Sequence, residues 1–291
     1  MTRAEADLHL HSYYSDGSDP PAEVVRRAKG AGLAAVALTD HDTVEGLPEF
    51  LAAAAAAGLT AIPGVELSVD EEDREIHLLG YLIRWEEPAL RAALRRFAAE
   101  RRVRAAAILS RLQAMGVRIP MEAVEAAAGP GTLGRPHVAA ALLEARVVRS
   151  LQEAFDRYLA RGKPAYVPRT GFTAAQAIAL VREAGGVPVL AHPVRSSVLD
   201  EVPRLVRAGL QGLEAYHTGH DAAATLAVCR VAEANGLLVT GGSDCHGGIR
   251  REVLLGRVRL PWEHVVRLYA AAGQPPPAPS TPSPGLPRLR Q

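Results

Sequence analysis

Gly242-Ser243-Asp244-Cys245-His246-Gly247 follows the apolar run Leu237-Leu238-Val239-Thr240. The pair reads as a buried strand that delivers a carboxylate and an imidazole at its C-terminal end. Asp7-Leu8-His9-Leu10-His11-Ser12 has the same form near the start of the chain. On a strand, His9 and His11 face one side, a spacing that suits two ligands of one metal. Two polar residues on an edge strand would give the same local pattern. Together the stretches predict that the chain closes on itself and joins these ends around divalent cations. Cys245 would point away from its neighbours on an extended chain and is given no role.

Outward from these stretches, strand and helix alternate. A strand at 33–38 runs into Thr39-Asp40-His41-Asp42-Thr43, and one at 60–62 runs into Pro63-Gly64-Val65-Glu66. Glu66 has apolar neighbours, where a lone carboxylate is costly unless paired or metal-bound. A strand at 75–83 carries His77, a position that also suits a core histidine. Strands at 187–190 and 212–216 lead to Ala191-His192-Pro193 and to His217, and a last strand is expected at 254–258. Asp16, in Ser15-Asp16-Gly17-Ser18, is a turn-former or a ligand. Helices fill the gaps, several stopped by glycine. The alternation predicts an α/β barrel of parallel strands whose C-terminal ends share one rim.

From about residue 86 the strand signal disappears. Helical periods at 90–115, 121–128, 136–145 and 151–159 predict an all-helical insertion at 88–162. It would divide a barrel domain made of 1–87 and 163–273. Gly134-Arg135-Pro136-His137 places Arg135 at a helix start, where backbone donors and dipole favour an anion. An ordinary capped helix with a solvated Arg is the other reading. Residues 274–291, rich in Pro and Ser, are expected to be disordered.

Composition excludes more than it assigns. Lys+Arg is 33 and Asp+Glu is 32 in 291 residues, so no bulk charge points to nucleic acid or membrane. Two cysteines, Cys229 and Cys245, are too few for a disulfide framework, and a reduced, cytoplasmic setting is expected. The N-terminus lacks signal-peptide organisation, and no apolar run could span a bilayer.

His9, His11, His41, His192, Asp244 and His246 all fall at predicted strand ends, and Glu66 and His77 add two groups. That is too many ligands for one ion with open positions, and it suits two or three. Imidazole and carboxylate without thiolate suit Mn²⁺, Zn²⁺ or Fe²⁺. Several cations on one rim imply a substrate of dense negative charge, and phosphate ester hydrolysis fits best.

As a set, Asp7-Leu8-His9-Leu10-His11-Ser12, Thr39-Asp40-His41, Gly64-Val65-Glu66, His77, Ala191-His192-Pro193 and Ser243-Asp244-Cys245-His246 resemble the polymerase and histidinol phosphatase (PHP) superfamily. The resemblance covers about residues 5–260. It implies a distorted (β/α)₇ barrel with three metals. His9, His11, Glu66 and Asp244 would hold one, Glu66, His77 and His192 a second, and Asp16, His41 and His246 a third. The insertion motifs, with Gly162-Lys163-Pro164-Ala165-Tyr166, are similar to the bacterial subgroup that removes the 3′-phosphate of nucleoside 3′,5′-bisphosphates and trims RNA from its 5′ end. In that reading the insertion lids the rim. Arg135, Lys163 and Arg195 are the first candidates for substrate phosphates, with His137 and Tyr166 beside them. His192, His217 or a metal-held water would protonate the leaving oxygen, and Asp40 would act in catalysis or orient a ligand. Rival readings are a histidinol-phosphate phosphatase, a hydrolase of carbon–nitrogen or ester bonds, and a non-catalytic metal-holding module.

Overall fold

The computed structural model describes residues 4–71, 74–169, 172–249 and 253–280. Its strands are β1 (Glu5–Leu10), β2 (Ala35–Leu38), β3 (Thr60–Glu71), β4 (Arg74–Tyr81), β5 (Val187–Leu190), β6 (Gly212–His217), β7 (Leu238–Gly242) and β8 (Leu260–Pro261). They form one sheet in the order β7-β6-β5-β4-β3-β2-β1-β8. β1, β2 and β3 run parallel, as do β5, β6 and β7, while β4 is antiparallel to both its neighbours. The sheet curls until the end of β7 meets β1. Asp244 N donates to His9 O, and His11 N donates to Cys245 O. The result is a nearly closed, distorted barrel.

Helices α1 (Pro21–Gly30), α2 (Leu47–Ala57), α3 (Pro88–Ala114), α4 (Met121–Ala128), α5 (Arg135–Glu144), α6 (Leu151–Ala154), α7 (Ala174–Glu183), α8 (Val202–Arg207), α9 (Ala222–Ala234) and α10 (Trp262–Ala271) complete the fold. Their limits follow local chemistry. α2 stops at Gly58, in the left-handed conformation at φ 64°. α7 starts at a Thr173–Gln176 capping box.

The expected strand at 254–258 is absent, and β8 lies further on. Gly256 turns there at φ 77°, and its N–H goes to Asp7 Oδ2 (2.9 Å), so a side chain pins this segment in place of a ladder.

One apolar cluster lies between the strands and α1, α2, α7, α8 and α9. A second joins Ala35, Ile62, Leu79 and Val187 to Val265 and Leu268 of α10, at the barrel end opposite the rim. The helical segment has its own cluster, built on Ile108, Leu112, Val124, Val138 and Leu142. α3 belongs to both parts, because Leu90, Leu94 and Phe97 pack into the barrel cluster. The tail from 274 to 280 carries no helix or strand, and Ser280 Oγ accepts from Thr60 N (2.9 Å). The rest of the expected disordered tail, 281–291, lies outside the described residues.

Candidate metal centre and catalytic cleft

Glu66 is the hub of the rim. Its side chain is fully buried, and imidazoles from five positions surround it. Oε2 lies 3.2 Å from His9 Nε2, 3.2 Å from His11 Nε2 and 3.0 Å from His41 Nδ1. Oε1 lies 2.8 Å from His77 Nδ1 and 3.3 Å from His192 Nε2. His77 reaches this point because β4 runs against its neighbours, which brings its early residues to the rim: His77 pairs with Ser68. Asp244 Oδ1 is 3.2 Å from His11 Nε2, and Asp16 Oδ1 is 3.2 Å from His246 Nε2.

These contacts do not satisfy the groups that make them. His9 Nε2, His11 Nε2, His246 Nε2, Asp16 Oδ1 and Glu66 Oε2 are buried without a hydrogen bond. Such atoms are rare in native proteins and call for an explanation such as an ion. Ligand atoms of three groups lie within 4.8 Å of one another: His11, Asp16, His41 and His246; His9, His11, Glu66 and Asp244; and His41, Glu66 and His77. The donor set, imidazole and carboxylate converging without thiolate, fits divalent cations. The groups overlap at His11, His41 and Glu66, and His192 borders them through Glu66.

The electrostatics are those of a site primed for cations. Burial alone would raise the Glu66 carboxyl, but His41, His9 and His77 outweigh it and hold it well below the usual range. Burial would lower His11 and His77. Asp244 and Glu66 instead raise His11 to about 10, and Glu66 and Glu75 raise His77 to about 9. Burial prevails at His41, lowered to about 3, and at His192, also lowered.

A further ring of contacts fixes the ligands. Glu214 takes His9 Nδ1 on one oxygen and His192 N on the other, both at 2.9 Å. Asp7 accepts from Ser243 N at 2.8 Å and holds the Asp244 loop. His192 and Asp244 have positive φ, 28° and 54°, and Asp42 has φ 51°. Backbone strain of about 1–3 kcal/mol per residue persists where the surroundings enforce it, as here.

Above the rim is a cleft of about 330 Å³ between barrel and helical segment. Arg135, Arg195 and His137 line it, with His41, Glu66, His77 and His192 at its base. Arg135 donates to both oxygens of Glu75, at 2.8 and 2.6 Å. Arg195 Nη1 lies 3.0 Å from Asp244 Oδ2. His137 Nδ1 accepts from Gly134 N and so caps α5.

Other expected residues stand elsewhere. Asp40 is off the cleft wall, because Ser12 N, Ser12 Oγ and Ser15 Oγ consume its carboxylate at 2.7, 2.6 and 2.5 Å. That is a positioning arrangement, the second of the two roles expected of Asp40. Lys163 is exposed in a turn outside the cleft lining, and Tyr166 lies under the guanidinium groups of Arg104, Arg135 and Arg161. Their motif builds a turn (Tyr166 N donates to Lys163 O) and keeps both from the cleft. His217 sits behind His192 and beside Asp244, with its Nδ1 accepting from Gly219 N. Cys245 is buried in the apolar cluster.

Sequence reasoning missed Glu214, Glu75, Asp42, Arg101, Arg104 and Arg169. Arg101 and Arg169 converge on Asp42 Oδ2, at 2.5 and 2.8 Å, and both line the cleft. Glu214 carried the signal that marked Glu66, a carboxylate inside an apolar strand.

Comparison with known proteins agrees with this geometry. The PHP domain family profile matches residues 7–160. A 3′,5′-nucleoside bisphosphate phosphatase of Chromobacterium violaceum is 35% identical over 249 residues, covering 84% of this chain and 87% of that protein. A 5′-3′ exoribonuclease of Haemophilus influenzae is 34% identical over 245 residues, covering 82% and 89%. A crystal structure from Bifidobacterium adolescentis, described as a candidate metal-dependent phosphoesterase, superposes with a TM-score of 0.84 at 30% identity, covering 91% of this chain and 95% of that one. Profile, relatives and buried imidazole–carboxylate rim converge: the chain belongs to the PHP family.

Proposed function

We propose that this phosphoric ester hydrolase removes the 3′-phosphate of nucleoside 3′,5′-bisphosphates and trims short RNA from its 5′ end. The observation that carries the reading is the stacking of two layers. A buried imidazole–carboxylate cluster forms the floor, and Arg101, Arg104, Arg135, Arg169 and Arg195 face it across one cleft. Such a cleft selects a ligand with several negative charges. The relatives named for nucleotide and RNA substrates support the same class.

The residues that would hold three ions are His9, His11, Glu66 and Asp244; Glu66, His77 and His192; and Asp16, His41 and His246. Mn²⁺ is our first choice, ahead of Zn²⁺ and Fe²⁺. Bound there, such ions supply Lewis acidity toward phosphoryl oxygens and lower the pKa of water. The chain does the rest. Arg101 and Arg169 both bond Asp42, which holds their guanidinium groups at the cleft wall. Arg135, at the first turn of α5, adds its charge to the helix dipole. These groups bind and orient the phosphates and stabilise charge on the equatorial oxygens. Burial lowers the His192 imidazole, which suits its expected place among the metal ligands. The helical segment covers the cleft as a lid.

No described helix is long and apolar enough to cross a membrane. The substrate approaches from solution as a nucleotide or a short RNA.

The test reloads chelator-treated protein with Mn²⁺ and compares adenosine 3′,5′-bisphosphate, a 5′-phosphorylated RNA and histidinol phosphate. Phosphate release from the bisphosphate is expected to dominate. Preferred turnover of histidinol phosphate, or full activity in a His9→Ala, Asp244→Ala double variant, would overturn the proposal.

A further inference from the structure

Beside the catalytic cleft lies a second cavity, of about 410 Å³. Its character is the opposite of the cleft's. Val69, Phe97, Val103, Val167 and Phe172 form its walls. Phe97 and Phe172 meet edge to face with ring centroids 4.6 Å apart. The Arg96 guanidinium lies 5.8 Å from the first ring and 5.7 Å from the second. Val103, in the middle of α3, is 71% exposed, an apolar side chain at the mouth.

The two spaces adjoin. Ser68, Arg101, Arg104 and Arg169 line both. A ligand reaching into both would place negative charge among the arginines and a flat apolar group between α3 and the side chains of Val167 and Phe172. A free phosphate would use only the first half, and a simple hydrocarbon only the second.

We propose that this cavity receives the base of the nucleotide whose phosphates occupy the cleft. The inference rests on the phosphoesterase reading above and adds the second half of the substrate to it. Aromatic side chains and guanidinium planes hold a nucleobase by stacking, because every base offers a π face. The described polar lining consists of Ser68, Glu100 and the arginines Arg96, Arg101, Arg104 and Arg169.

The experiment compares kcat/KM for adenosine 3′,5′-bisphosphate and for the base-free 1-deoxyribose 3,5-bisphosphate. Wild type should prefer the nucleotide about tenfold, within the range for one stacked base. In Phe172→Ala, which removes a ring, and Val103→Trp, which fills the cavity, that preference should collapse toward one. A preference that survives both changes, or is missing in wild type, overturns the proposal. Phosphate release from the base-free compound tests the phosphatase reading independently of the cavity. With no release from either compound, that reading fails, and saturation-transfer NMR of adenosine 5′-monophosphate judges the cavity alone. Loss of the adenine signal in Val103→Trp then supports the base subsite, and its retention refutes it.

Discussion

Glu214 Oε1 lies 2.9 Å from His9 Nδ1, and both side chains are fully buried. The contact fixes the ring's orientation. With Nδ1–H donated to Glu214, Nε2 is the nitrogen turned toward Glu66 and Asp244. Partners of this kind set a ligand's tautomer and basicity, and their loss typically costs 10–100-fold in metal affinity. Glu214→Gln should weaken Mn²⁺ binding by about that factor, measured by competition with a chromogenic chelator. Unchanged affinity would show that Glu214 merely fills space.

The histidine shifts predict a pH signature. In metal-free protein His11 and His77, raised to about 10 and about 9, hold protons at neutral pH. Cation uptake must displace them. Calorimetry of metal loading in buffers of different ionisation enthalpy should therefore register proton release, and affinity should climb with pH. The sign for folding is the reverse. Because folded values exceed the unfolded value near 6.5, the stabilisation is complete below about pH 6.5. It is lost as pH rises through 9 to 10. Melting of chelator-treated protein should fall across that range, and a flat profile would contradict the assigned partners.

Asp42 ties the end of β2 to α3 through Arg101, and to Arg169. Burial would raise its carboxyl, but Arg101 and Arg169 hold it down at about 2. Removing one partner from a buried ion pair costs about 3–5 kcal/mol, because the other charge stays buried. Asp42→Asn should lose stability of that order in urea denaturation and raise KM for a bisphosphate by loosening both arginines. In wild type this contribution is present above the unfolded value near 4 and is lost as pH falls toward 2. A variant as stable as wild type would mean that the pair carries no net energy.

Which parts were legible follows from how each residue advertises itself. A carboxylate or imidazole at the end of an apolar run has few other uses, so His9, His41, His192 and Asp244 stood out. Glu214 carried the same signal, in the strand that ends in His217. The reversal of β4 could not be read, because an apolar strand looks alike in both directions; His77 therefore resembled a core residue. Arg101 and Arg104 sit in a helix dense with arginines, and periodicity cannot say which of them turn inward. Asp40 shows the limit of that signal: a carboxylate at a strand end fits a reacting centre as well as it fits two serines.

Closure of the barrel depends on one missing side chain. A Cβ on Gly242 would stand 2.3 Å from both His9 N and His9 Cβ, closer than atoms can approach. Gly242 ends β7 where it crosses β1, and the Asp244–His9 backbone bond forms two residues later. Gly242→Ala must therefore push the two strands apart and carry His9 away from Asp244. The damage should appear twice, as a lower melting temperature and as weaker Mn²⁺ binding that excess metal restores only in part. Gly248→Ala is the matched control, since nothing lies within 4 Å of a Cβ built there. If both alanine variants bind metal like wild type, the barrel tolerates a wider seam, and the meeting of the two chain ends does not set the spacing of the ligands.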